Sequence, residues 1–160
     1  MHLYLVQHGD AVSKETDSKR PLSEKGRKGV GQLASFLARS RLQIAPVFHS
    51  GKLRAQQTAL LYADVLGAGR LVQDSAYPIG PNDPISLLSN ALTTDFASDA
   101  SVMFVGHLPY MDRLVSHLMT GDEAARSIQF EPGCVIALER NEELSSWTLQ
   151  WIMRPSLLGG

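Results

Sequence analysis

Hydrophobic residues along this chain come in two patterns, short unbroken runs and longer stretches with helical spacing, and the two alternate. Leu3-Tyr4-Leu5-Val6 is too short a run for a helix and the right length for a strand buried on both faces. Ser23-Glu24-Lys25-Gly26 then opens a segment whose apolar positions Val30, Leu33, Ala34, Leu37 and Ala38 recur at helical spacing, with Ser23 as N-cap and an end near Ser40. Pro46-Val47-Phe48-His49-Ser50 reads as a second buried strand, and residues 53–66 as a second helix stopped by Gly67 and Gly69. Leu71 and Val72 predict a short third strand. The loop Tyr77-Pro78-Ile79-Gly80-Pro81-Asn82-Asp83-Pro84 follows, then a helix over 85–92. Residues 101–106 give the strongest strand signal after the first, and Pro109 starts a helix that turns Met111, Leu114, Val115 and Leu118 inward. The tail breaks the alternation: residues 134–139 and 147–153 read as two strands joined by Arg140-Asn141-Glu142-Glu143, an antiparallel hairpin at one sheet edge.

Strands alternating with helices predict an α/β fold, a single three-layer α/β/α domain spanning 1–160 with a mainly parallel sheet and an antiparallel edge near the C-terminus. No repeat or linker divides the chain. In such sheets ligands bind outside the carboxyl ends of the strands.

Composition narrows the function classes. With 160 residues, 44% hydrophobic and 19% charged, and a formal net charge of -1, the chain matches an ordinary globular domain. It lacks the dense basic patch that nucleic acid requires, so no nucleic-acid partner is expected. It also lacks an apolar run of the ~20 residues needed to span a membrane, and a signal-type N-terminus, so no membrane partner and a cytoplasmic location are expected. Cys134 is the only cysteine, which rules out an internal disulfide and a thiolate-rich metal site. No metal-ligand cluster or other cofactor motif stands out.

If the first, second and fourth strands are parallel neighbours, their ends bring together His8, the 50–54 loop with Arg54, and His107. A guanidinium is a permanently charged fork suited to phosphate oxygens, and an imidazole can be nucleophile or proton donor near neutral pH. Arg54 lies at a helix N-terminus, where a cation is disfavoured unless an anion is present. Phosphate chemistry is the expectation. His2, His49 and His117 read as ordinary strand-end or surface residues. Cys134 and Arg140 have the C-x5-R spacing of cysteine-dependent phosphatases, but Val-Ile-Ala-Leu between them makes a strand rather than a phosphate-cradling loop. Trp147 and Trp151 read as core packing on the hairpin.

Three segments together carry a family resemblance: Leu5-Val6-Gln7-His8-Gly9-Asp10-Ala11, Ser50-Gly51-Lys52-Leu53-Arg54-Ala55-Gln56-Gln57-Thr58 and Val105-Gly106-His107-Leu108-Pro109. In that order they resemble the histidine phosphatase superfamily, with its phosphoglycerate mutase-like fold. The short chain, Arg20-Pro21-Leu22-Ser23 and Gly106-His107-Leu108-Pro109 look most like the SixA-type phosphohistidine phosphatases.

The resemblance implies that His8 is the nucleophile and forms a phosphohistidine enzyme intermediate, while Arg54 and His107 grip the phosphoryl oxygens. Gly9 would clear the substrate's approach. The implied substrate is phosphohistidine on a signalling or phosphotransfer protein, with no metal or other cofactor required; the sequence itself carries no stripe of an obligate interface, so a monomer is expected. Asp10 and Asp83 are the carboxylates to inspect as a general acid, although capping of backbone N–H groups explains each equally well. One position departs from the family pattern, since Gln7 stands where arginine normally precedes the nucleophile. Gln7 is expected to donate an amide N–H to a phosphoryl oxygen, and Arg20 to make up the missing charge. Two alternatives stay open: a phosphatase for small phosphate esters or anhydrides, and a catalytically silent phosphate or phosphohistidine binding module.

Overall fold

The computed structural model describes residues 1–126 and 128–159. Strand β1 (His2–Gln7) is followed by helix α1 (Glu24–Ala38), β2 (Val47–His49), α2 (Leu53–Leu66), β3 (Val72–Asp74), α3 (Ser86–Thr94), β4 (Ser101–Gly106), α4 (Tyr110–Thr120), β5 (Val135–Asn141) and β6 (Ser146–Met153). The local signals explain most of these limits. Ser23 caps α1, its hydroxyl accepting from Gly26 N at 3.0 Å, and α2 ends at Gly67 with φ 77°. Leu71 is the exception: this exposed residue belongs to a 3-10 turn over Gly69–Leu71, and the strand begins one residue later.

The strands form one six-stranded sheet in the order β3-β2-β4-β1-β5-β6. β3, β2, β4 and β1 run parallel to one another, whereas β5 is antiparallel to both β1 and β6. This is the expected parallel sheet with an antiparallel edge. Alternation along the central strands sends Leu3, Leu5, Val102 and Phe104 to one face, against Leu88 and Leu92 of α3 and Met111, Leu114 and Val115 of α4. Tyr4, Val6, Met103 and Val105 face the other way, against Val30, Leu33 and Leu37 of α1 and Ala55, Ala59 and Tyr62 of α2. The result is three layers with two separate apolar cores.

A register shift between Ala137 and Leu138 puts Trp151 opposite Ala137 but Leu149 opposite Leu138. Four residues apart, Trp147 and Trp151 would share a face of a regular strand. The bulge instead puts Trp147 in the α3/α4 core and Trp151 beside Tyr4 on the α1/α2 side, with ring centroids 5.8 Å apart. No helix among the described residues is long and apolar enough to cross a membrane.

Candidate active site

Because β2, β4 and β1 are adjacent and parallel, their carboxyl ends open on one side of the sheet. The residue after β1 is His8, the residue after β4 is His107, and the segment from β2 into α2 supplies Ser50 and Arg54. The two imidazoles lie with centroids 4.9 Å apart and planes inclined at 61°. Arg54 donates from Nε to His8 Nε2 at 3.0 Å.

His8 Nδ1 lies 2.8 Å from the carbonyl of Gly9. A carbonyl can only accept, so Nδ1 carries the proton and Nε2 keeps its lone pair. Burial lowers the His8 pKa to about 4, with the charges of Arg54 and Arg20 pulling in the same direction against the Gly9 hydrogen bond and Asp10. His107, 2% exposed, is lowered to about 3, mainly by burial and then by His8, Arg54, Lys52 and Arg20. Near neutral pH both rings are therefore uncharged, and the positive charge of the site belongs to Arg54, Arg20 and Lys52.

The backbone around His8 is held from several sides. Gly9 N donates to Thr58 Oγ1 at 3.0 Å, and Thr58 donates to the Arg54 carbonyl at 2.7 Å, so one buried hydroxyl ties the strand end to the helix turn carrying Arg54. Gly133 N reaches the carbonyls of Gln7 at 3.0 Å and His8 at 3.2 Å, while Tyr62 donates to the Gly133 carbonyl at 2.6 Å. Tyr62 did not stand out in the sequence, and Thr58 entered only as the end of the 50–58 segment with no role assigned, although it follows Arg54 by one helical turn, the spacing that lets its hydroxyl reach the Arg54 carbonyl.

The other expected site residues fall as follows. Arg20 lies on a loop closed by Val12 N to the Pro21 carbonyl at 3.0 Å, has φ 50°, and donates from Nε to the Val12 carbonyl at 3.2 Å. Its charge is felt at His8, Arg54 and His107, which places it near all three. Gln7 ends β1, and its Oε1 is buried without a hydrogen-bond partner among the described residues. A side chain at Gly9 would meet Val30 Cγ2 at 2.8 Å and Leu22 Cδ2 at 3.1 Å, so packing on α1, rather than the expected clearance for substrate, demands glycine there. Asp10 accepts from the Ser23 hydroxyl at 2.5 Å while its charge reaches His8. Asp83 closes a turn, accepting from Gly80 N at 2.6 Å. Asp83 thus caps a backbone N–H, its alternative reading, whereas the Asp10 carboxylate is held by a side-chain hydroxyl instead.

A groove of about 640 Å³ begins at Ser50 and Lys52 and runs along the loop through Tyr77, Asn82 and Asp83. Ser50 Oγ lies 2.6 Å from His107 Nε2, which joins the groove to the histidine pair. Cys134 is buried, its thiol pushed up to about 11 by burial, and β5 begins at the next residue, so the C-x5-R spacing is a strand and not an anion loop. His49 is a buried strand-end residue whose Nδ1 accepts from Gly51 N at 3.1 Å.

Comparison with known proteins agrees with this arrangement. The model of the histidine phosphatase superfamily (branch 1) matches residues 3–76, a stretch that includes His8 and Arg54. Phosphohistidine phosphatase SixA of Escherichia coli (strain K12) is 29% identical over 158 residues, covering 97% of this chain and 94% of that protein. The structure of the protein histidine phosphatase SixA complexed with tungstate superposes with a TM-score of 0.83 at 28% identity, covering 99% of each chain. A mycobacterial glucosyl-3-phosphoglycerate phosphatase shares the fold at 16% identity, with a TM-score of 0.68 and coverage of 93% of this chain and 96% of that one. With matching motifs in order, near-complete coverage by SixA and the same fold, the chain is similar to the histidine phosphatase superfamily.

Proposed function

We propose that this protein is a phosphohistidine phosphatase that removes phosphoryl groups from histidine on a signalling or phosphotransfer protein. The observation that carries the reading is the state of His8: its Nδ1–H is held on the Gly9 carbonyl, and its unprotonated Nε2 faces Arg54 at 3.0 Å. That ring is a nucleophile presented beside a phosphate-binding cation.

In this mechanism Nε2 of His8 attacks phosphorus, the P–N bond to the substrate imidazole breaks, and the departing nitrogen takes up a proton. Water then attacks the phosphoryl group on His8, releasing inorganic phosphate and restoring the neutral ring. Charge in a loose phosphoryl-transfer transition state lies on the peripheral oxygens, where Arg54, Arg20, His107 and the Gln7 amide would act. Arg54 must shift its Nε–H from His8 to a phosphoryl oxygen as substrate enters, which uncovers the nucleophile. An imidazole leaves far more readily than an alkoxide, so carboxylates held in local hydrogen bonds, Asp10 to the Ser23 hydroxyl and Asp83 to Gly80 N, suit a P–N bond better than a phosphate ester. The likeness to SixA supports the same substrate class.

The test is to mix the protein with a labelled phosphohistidine donor, then measure acid-labile phosphate on the enzyme and released phosphate against a simple phosphomonoester. The expected result is label on His8, lost in His8→Ala, and faster turnover of phosphohistidine. Faster ester turnover would establish the small-ester reading instead. Binding without label or release would establish a silent module, the outcome that Gln7 makes worth testing.

A further inference from the structure

We infer that Ser50 is a positioning residue that sets the tautomer of His107: its hydroxyl donates to Nε2, so the ring carries its proton on Nδ1 and offers that N–H to a phosphoryl oxygen. The inference rests on the reading above, in which His107 grips the phosphoryl group.

The geometry starts from the sheet. β2 and β4 pair in parallel with His49 opposite Val105, so the residues that follow them, Ser50 and then Gly106-His107, emerge side by side. Ser50 Oγ comes within 2.6 Å of His107 Nε2. A hydroxyl can donate or accept, and a neutral imidazole has one nitrogen of each kind, so this contact has two possible polarities. They differ in what they leave on the other nitrogen. His107 Nδ1 is buried and has no partner among the described residues, and the ring is 2% exposed.

If Ser50 accepted from Nε2–H, Nδ1 would present a bare lone pair within a site that binds an anion, and a phosphoryl oxygen would be repelled. If Ser50 donates, Nδ1 holds an N–H that lacks an acceptor until substrate supplies one. Only the second polarity turns the unpartnered nitrogen into a ligand. A neutral histidine side chain in water prefers its proton on Nε2, so the hydroxyl works against the intrinsic preference of the substituted ring. Protonation of the whole ring would remove the choice, but burial and the neighbouring cations keep His107 neutral near pH 7.

The test is nitrogen-15 NMR of histidine-labelled protein at neutral pH, with and without inorganic phosphate, alongside turnover of a phosphohistidine substrate. In the wild-type protein His107 is expected to be neutral with its proton on Nδ1. In Ser50→Ala the proton is expected to shift toward Nε2, and kcat to fall about tenfold with KM changed much less. Wild-type His107 with its proton on Nε2 overturns the inference without any variant. So does Ser50→Ala that keeps the Nδ1–H tautomer, whatever its rate. A wild-type Nδ1–H signal that ignores phosphate counts against His107 as a phosphoryl ligand, not against the assignment of the tautomer.

Discussion

Helix α1 carries Gly26, Gly29 and Gly31, each of which costs a helix interior about 0.5–1 kcal/mol relative to alanine. Propensity alone would make all three replacements stabilising. The surroundings divide them. A Cβ on Gly31 meets nothing within 4 Å, whereas one on Gly26 would overlap the Asp10 carbonyl oxygen and meet the Asp10 C and N atoms at 2.9 Å. Those are backbone atoms that no rotamer change can move aside. They also belong to the segment leaving His8, where Asp10 accepts from Ser23 N at 2.9 Å and from the Ser23 hydroxyl at 2.5 Å. Gly26→Ala must therefore push α1 away from Asp10, at about 1–3 kcal/mol for overpacking and about 1 kcal/mol for the disturbed cap, offset by less than about 1 kcal/mol of helix propensity. The expected result is a loss of about 1–4 kcal/mol in urea unfolding for Gly26→Ala and a gain of about 0.5–1 kcal/mol for Gly31→Ala. Turnover of the folded Gly26→Ala protein should also fall, because the displaced segment holds His8, while Gly31→Ala should retain it. If the two variants unfold within about 0.5 kcal/mol of each other, the proposed contact between α1 and the strand end does not constrain the molecule.

Two further predictions concern charge. Gln7→Arg replaces a neutral hydrogen bond of about 0.5–1.5 kcal/mol with an ionic one of about 1.5–3, and should raise phosphohistidine turnover about tenfold; an unchanged rate would show that glutamine costs the site nothing. Because the folded pKa values of His8 and His107 lie at about 4 and about 3, below the ordinary imidazole value, the unfolded chain binds more protons than the folded one as pH falls below 6.5. Their stabilisation is complete above that pH and should fall on acidification to pH 5 by up to about 1.4 kcal/mol per pH unit for each histidine, while the acid limb of kcat/KM lies near the His8 value of about 4. Urea midpoints that stay flat from pH 7 to 5, or an acid limb near 6.5, would contradict the buried neutral pair.

The parts of this fold legible in the sequence are those where one signal acts alone. The limits of α2 and β4 match the expected 53–66 and 101–106, because each apolar pattern is bounded by glycine or a polar turn. The convergence of His8, Arg54 and His107 needed one further assumption, the adjacency of β2, β4 and β1, and the sheet has that order. Leu71 misled because a single exposed apolar residue has no periodicity to place it. The split of Trp147 from Trp151 was illegible because a bulge reverses the facing of a strand without leaving a mark in the side-chain pattern. Thr58 with Gly9, Tyr62 with Gly133 and Ser50 with His107 are pairings across 49, 71 and 57 residues, set by packing rather than by local spacing. The role of Gly9 shows the same limit: the sequence marks a place where a side chain does not fit, but the obstruction is Val30 and Leu22 of the protein itself.

Gln7 takes on a clearer meaning beside the charges that surround it. Arg54 and Arg20 both act on the two histidines, and neither imidazole carries charge near pH 7. An arginine in place of Gln7 would add a third guanidinium at the strand end. Removing that charge weakens stabilisation of the phosphoryl oxygens for every substrate alike, so by itself it slows the reaction without choosing among leaving groups. Selectivity enters through the bond that breaks. An ester must expel an alkoxide and needs both strong oxyanion stabilisation and a proton donor, whereas a P–N bond asks less of each. With Asp10 tied to Ser23 and Asp83 to Gly80, the donor is poorly supplied as well. The proposed preference for phosphohistidine therefore rests on the leaving group and the missing proton donor, while Gln7 lowers the rate on either substrate without setting that preference.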